Sequence, residues 1–346
     1  MLRFIESMQQ NGAGNPSAPK WDNAFGYNVN PGRYAGTYCL GSDYGDRGGY
    51  KTIGVSMGTA VVGVAFMVTS RPNDPGNPLI EWWDSTATRQ TCLYNDGAGK
   101  FRVYRNGADG VLLGTGSYVL PVGSWVYVEM KVVFATGATG SVEVRINGVT
   151  DLTLTNVQTA ATNAYANRLN LAGSRNYGGG NSQRYQDLYV LDNVGAQNND
   201  FLGDCRVEFR VPNADGAMQQ FATVVPATAG HFAKVAEIPY DGDTSYVEDA
   251  TVGNVETYGH AVLAATSGVV RGVQFSTVAK RSDAGAKTIA GAVRQGGVNY
   301  FGAAKTPSTV YTVEDNRDIL ELNPATGLAF TIAEVNADEF GFKVNS

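Results

Sequence analysis

Two adjacent tryptophans, in Ile80-Glu81-Trp82-Trp83-Asp84, are the first residues in the chain with an evident use. Side chains alternate across a strand, so Trp82 shares a face with Ile80 and belongs to a core. Trp83 shares the other face with Glu81, where an aromatic ring beside polar groups can stack on a sugar. Tyr177, in the loop-like run SRNYGGGN, is the second candidate for a glycan contact.

Acidic residues suggest other chemistry. Glycoside cleavage needs two carboxylates facing one groove. Asp187 and Asp192 are five apart and point to opposite faces of a regular strand, and Asp241 and Asp243 lie in the turn-like PYDGDTSYVED. That turn opens like a calcium loop but lacks the Gly and Glu that an EF-hand requires. DNVGAQNND supplies Asp192, Asn199 and Asp200 as oxygen donors for calcium, although Asp and Asn also cap turns on their own backbone. No other cofactor is expected. His231 and His260 sit beside apolar residues, and neither a nucleophile elbow, a zinc motif nor a phosphate loop occurs. The expectation is of no catalytic residues and no enzyme.

The elements that would carry these residues are strands. SVEVRING places Val142, Val144 and Ile146 on one face and Glu143 and Arg145 on the other, which marks one buried face and one wet face. WVYVEMKVVF pairs with it across a short turn, and FRVYRNG ends in a hairpin signal. VVGVAFMV reads as a fully buried strand. Beyond residue 200, DCRVEFRV, FAKVAEI, AVLAATSGVVRGVQFSTVAKR, KTIAGAVRQ and FGFKV read as further strands. One helix is predicted, IAEVNADEF, capped by Thr331 with Glu334 as its capping-box partner.

The totals agree with this pattern. The chain has 346 residues, 43 of them Gly, and 17% are charged, which suits a turn-rich β protein. A net charge of −6 disfavours a nucleic-acid partner. Cys39, Cys92 and Cys205 are too dispersed for a disulfide framework or a metal pair, and fit a reducing cytoplasm. The opening MLRFIESMQQ lacks a signal-peptide pattern, and no apolar run is long enough to insert in a membrane. The fold expected is all-β: two β-sandwich, jelly-roll-like domains joined by a short rigid link. Residues 1–50 form an arm or the first strands, 51–200 the first sandwich and 201–346 the second.

Residues 50 to 200 resemble concanavalin A-like, laminin-G-like jelly rolls, through VGVAFMV, FRVYRNG, GSWVYVEMKVVF, GSVEVRINGV and QDLYVLDNVG. The longer run QDLYVLDNVGAQNNDFLGDCRVEFRVPNADG, with DGDTSYVEDATVG and NPATGLAFTIAEVNADEFGFKV, resembles a family of tailed-bacteriophage virion proteins. That resemblance implies a structural part of a tail or surface appendage, made in the host cytoplasm. It implies a homo-oligomer that contacts other virion proteins and serves assembly and host attachment, with a host surface glycan as a further partner. The alternatives are a carbohydrate-binding module or a polysaccharide-cleaving enzyme on a jelly roll, the latter needing a carboxylate pair or a Tyr with an Arg or His.

Overall fold

A computed structural model describes residues 1–9, 20–24, 27–29, 31–42, 48–73, 76–171, 183–228, 230–282, 285–314 and 319–346. The protein is all-β and divides into two compact units, Met1–Val207 and Glu208–Ser346. No helix among the described residues is long and apolar enough to cross a membrane.

Unit 1 is a sandwich of antiparallel sheets. Its strands are β1 (Leu2–Glu6), β2 (Asn23–Ala24), β3 (Tyr27–Val29), β4 (Cys39–Ser42), β5 (Gly49–Met57), β6 (Thr59–Val68), β7 (Asn77–Trp83) and β8 (Arg89–Asn95). They continue with β9 (Lys100–Arg105), β10 (Val111–Val119), β11 (Val126–Val133), β12 (Gly140–Ile146), β13 (Val149–Val157), β14 (Ala166–Leu171) and β15 (Gln183–Asp192). The first sheet runs β13-β12-β11-β6-β15-β4-β3, and β1 also pairs with β15. The second runs β10-β9-β8-β7-β14-β5-β2. The first fifty residues therefore supply strands to both sheets.

The core lies where the inward faces meet. Val62, Val64, Phe66, Val128, Met130, Val142 and Val144 come from the first sheet. Ile80, Trp82, Leu93, Phe101, Val103, Leu169 and Leu171 come from the second. In β12 the burial alternates strictly, with Val142, Val144 and Ile146 inside. Nearly all of β6 is buried, because the outer face of the first sheet is covered too.

The cover is the segment 200–207. Its backbone amides bond to side chains on the sheet. Leu202 donates to the Tyr189 hydroxyl at 3.1 Å, Gly203 to Glu129 at 2.8 Å and Val207 to Asp187 at 3.0 Å. Asp200 pairs with Lys131, and Phe201 lies 4.0 Å below the Arg145 guanidinium. Here the sequence expectation fails: DCRVEFRV is not a strand, and the Val207 amide within it is satisfied by a buried side chain rather than by a ladder.

Unit 2 contains a five-stranded antiparallel sheet in the order Pro212–Gln219, Val255–His260, Glu339–Val344, Ile289–Gln295, Val298–Phe301. Three two-stranded ribbons accompany it: Thr223–Val225 with Tyr246–Glu248, Val273–Gln274 with Ile319–Leu320, and Thr277–Ala279 with Thr312–Glu314. FAKVAEI, expected as a strand, begins as the 3-10 turn Phe232–Lys234. Residues 261–270 are irregular as well. Their amides at Leu263, Ala264 and Ala265 are taken by the side chains of Asn336 and Glu208. The single α-helix among the described residues, Ile332–Ala337, starts at Thr331, and both bonds of the expected capping box with Glu334 are formed.

Candidate functional site

The outer face of the second sheet is built by alternation and register. Each strand that sends apolar side chains into the core presents its neighbours outward: Glu81 and Trp83 on β7, Cys92 and Tyr94 on β8, Arg102 and Tyr104 on β9, Arg168 and Asn170 on β14. Antiparallel register then aligns them in rows. Tyr50, Asn170, Glu81, Cys92 and Tyr104 lie directly opposite one another across five strands. Thr52, Arg168, Trp83 and Arg89 form the adjacent row. Residues so opposed share a face and touch.

Within these rows, aromatic rings and guanidiniums alternate. The Arg168 guanidinium carbon stands 3.7 Å from the centre of the Tyr50 ring and 5.1 Å from that of Trp83. Arg89 lies 5.4 Å from the Trp83 ring on its own row. Such spacings are cation–π contacts. Glu81, 3% exposed, ties the group together. It accepts a bond from the Trp83 indole at 3.1 Å and stands 3.7 Å from Arg89. Asn170 accepts from Arg168 Nε at 2.9 Å, which fixes the plane of that guanidinium. Gly107, at φ +79°, closes the hairpin after β9; a Cβ there would sit 2.3 Å from Arg89 Nη1, so the glycine leaves room for the guanidinium.

Two guanidiniums flank one buried carboxylate, Glu81, and Asp22 also acts on Arg168 electrostatically. Burial pulls the Arg168 pKa down, opposed by Tyr50, Asp22 and Glu81, and an arginine stays cationic under such a shift. Tyr94 and Tyr104 meet edge-on at 5.1 Å, and burial pushes the Tyr94 phenol up, so it is neutral. The set can stack against flat apolar surfaces and donate hydrogen bonds from fixed positions. It also contains the Tyr-with-Arg pairing that a polysaccharide-cleaving site would need, in Tyr50 and Arg168.

Of the residues singled out in the sequence, Trp83 lies on this face and Trp82 is fully buried in the core. Tyr177 lies outside the described residues. The calcium donors do not converge. Asp192 pairs with Arg3 at 2.6 Å and with the Met1 ammonium, Asn199 bonds the Gly195 carbonyl, and Asp200 holds Lys131. Among the described residues no three metal-ligating side chains cluster. Asp187 sits at a strand irregularity with φ +55°, fully buried against Arg33, away from the partners of Asp192. Asp243 pairs with Lys280 and Tyr311, and Asp241 closes a turn through Ser245. His231 bonds Glu256, while His260 packs edge-on against Phe340.

Sequence reasoning missed Tyr50, Arg89, Arg168 and Asn170. The signal was present in Asn167-Arg168-Leu169-Asn170-Leu171, where polar residues alternate with two leucines, but the segment reads as loose loop next to the glycines that follow it.

No family model matches the chain, and no curated protein matches it. Among solved structures it is similar to an endo-β-1,4-glucuronan lyase from the fungus Trichoderma reesei, at 15% identity and a TM-score of 0.41, over 55% of this chain and 95% of that one. It is similar to an alginate lyase of Aplysia kurodai, at 12% and 0.37, over 46% and 84%. It is also similar to a carbohydrate esterase from the Shiga toxin-encoding bacteriophage phi24B, at 12% and 0.35, over 54% and 98%. These likenesses correct one sequence expectation, that the chain is no enzyme: the structures it resembles are themselves enzymes. At such identities and TM-scores, the substrates of those proteins are properties of those proteins alone.

Proposed function

We propose that unit 1 is a polysaccharide-active module that holds a sugar chain along the outer face of its second sheet. One observation carries the reading: the ladder Tyr50–Arg168–Trp83–Arg89, assembled from β5, β14, β7 and β8. A pyranose ring offers an apolar face to an aromatic and a rim of hydroxyls to fixed donors, and the ladder supplies both. At strand spacings near 4.8 Å, four strands span roughly 15 Å, the length of a short oligosaccharide.

The test is a panel of polysaccharides, read for binding by calorimetry and for cleavage by new chain ends. Trp83→Ala is expected to weaken binding about tenfold or more, since a stacked aromatic is a typical anchor. A wild-type protein that neither binds nor cleaves any member of a broad panel removes the reading.

The sequence resemblance supports a setting for this module, a bacteriophage tail or appendage in several copies, where a sugar-holding face would meet the host surface. Mass spectrometry of purified particles is the check, and absence of the chain from them removes that setting while leaving the carbohydrate reading intact.

A further inference from the structure

We infer that this face selects an anionic sugar, with the Arg168 guanidinium binding the carboxylate or sulfate group between Tyr50 and Trp83; the inference rests on the carbohydrate reading. Arg168 is the residue that distinguishes a neutral from a charged ligand. Its Nε is engaged by Asn170, and its other two nitrogens have no hydrogen-bond acceptor among the described residues. No carboxylate lies within ion-pair distance of it among those residues, whereas Arg89 has Glu81. The stack on Tyr50 and the bond to Asn170 hold the guanidinium plane without using its outer edge. That free edge is the fork that binds two oxygens of a carboxylate or sulfate.

Burial sharpens the preference. Arg168 is half-buried, and its guanidinium is stacked on one ring and near a second, so water solvates it incompletely. A cation held in that way gains more from an anion than an exposed lysine does. The carboxylate of Glu81 is turned toward Trp83 and Arg89 and makes no ion pair with Arg168 among the described residues. A neutral sugar would stack on the rings but leave the fork unmatched.

The experiment titrates the full chain with matched polymers that differ only in charge: a neutral glucan, its uronate counterpart and its sulfated counterpart. Binding of an anionic polymer about tenfold tighter than the neutral one, weakened by added salt, is the expected result. The uronate and sulfate arms identify which anion is used. Arg168→Gln is expected to bring anionic binding down to the neutral level, and Arg168→Lys to give an intermediate loss, because it keeps the charge but not the fork. Equal or tighter binding of the neutral polymer overturns this inference and leaves the carbohydrate reading standing. Binding of none of the three overturns both. Should Arg168→Gln fail to fold, the wild-type comparison and its salt dependence decide alone.

Discussion

Gly63 is a position where the smallest change, one methyl group, has a calculable effect. It lies in the middle of β6, opposite Glu129 on β11 and Tyr189 on β15. The Tyr189 ring crosses directly over it: a Cβ at residue 63 would sit 2.2 Å from Tyr189 Cε1. That crossing lets the Tyr189 hydroxyl reach Glu129, and these two groups receive the amides of Leu202 and Gly203. Gly63→Ala must therefore push a buried ring aside. Overpacking costs about 1–3 kcal/mol, and loosening the bonds beyond the ring adds about 1 kcal/mol, for a total of about 3 kcal/mol. The chain's four tryptophans, Trp21, Trp82, Trp83 and Trp125, all fall in unit 1, so their fluorescence follows that unit alone during urea unfolding. With a urea slope of about 2–3 kcal/mol per molar, the midpoint should fall by about 1 M. In a Tyr189→Ala background the same substitution should cost less than about 0.5 kcal/mol, since the obstacle is gone. A single variant that unfolds with the wild type, or a penalty that persists without the ring, would refute the account.

Three further outcomes are expected. Burial would raise the pKa of Asp84, but bonds from the Thr88 backbone, Asn163, Thr86 and Thr162 outweigh it and hold the carboxyl at about 2. A lowered pKa gives stability that is complete above the ordinary value near 4 and is lost as pH falls through about 2; Asp84→Asn should cost about 2 kcal/mol at pH 7 and flatten the acid limb of unit 1 in tryptophan-monitored unfolding. Asp338 is the opposite case. Burial, only partly offset by a bond from Gln295, lifts it to about 6, so it weakens unit 2 progressively as pH rises from about 4 through 6. Asp338→Asn should stabilise the calorimetric transition of unit 2 at pH 7 by roughly 1–3 kcal/mol and leave it unchanged at pH 4. Thr331→Ala, which removes the hydroxyl that accepts from the Glu334 amide and leaves the backbone N–H of residue 331 to Glu334, should cost about 1 kcal/mol in the same transition.

What could be read from the sequence follows from how far each feature reaches along the chain. The alternation in β12, the assignment of Trp82 and Trp83 to opposite faces, and the cap at Thr331 each depend on residues within a few positions, and each is found as expected. DCRVEFRV misleads because its alternation is genuine while the amide of Val207 within it goes to a side chain of a strand 20 residues away in sequence. Periodicity describes which side chains are apolar; it does not reveal what will take the backbone amides. The ladder was hidden for a related reason. Tyr50 and Arg168 are 118 positions apart and meet because β14 inserts between β5 and β7, a register that no local pattern encodes.

The two outer faces of the sandwich are made from similar residue types, tyrosines, arginines and acids, and their different fates bear on the binding surface proposed above. On the first sheet the chain covers its own face. Tyr127, Tyr189, Glu129 and Asp187 are all buried; the segment 200–207 donates amides to Tyr189, Glu129 and Asp187, and the Tyr127 hydroxyl bonds the Asp187 carbonyl. Burial there lifts the pKa of Tyr189 and of Asp187, as expected for groups removed from water. On the second sheet Glu81 is buried in the same way, but Tyr50, Trp83, Arg89 and Arg168 keep part of their surface in solvent. Ordering four such side chains into a stack costs rotamer entropy that exposed cation–π contacts of about 0.5–1 kcal/mol each barely offset. An arrangement held near that balance contributes little to stability, which is why its organisation is better accounted for by a ligand that completes it. Substitutions in the ladder should then separate from those under the segment 200–207: the former should lower affinity at nearly constant stability, and the latter should lower stability in the absence of any ligand.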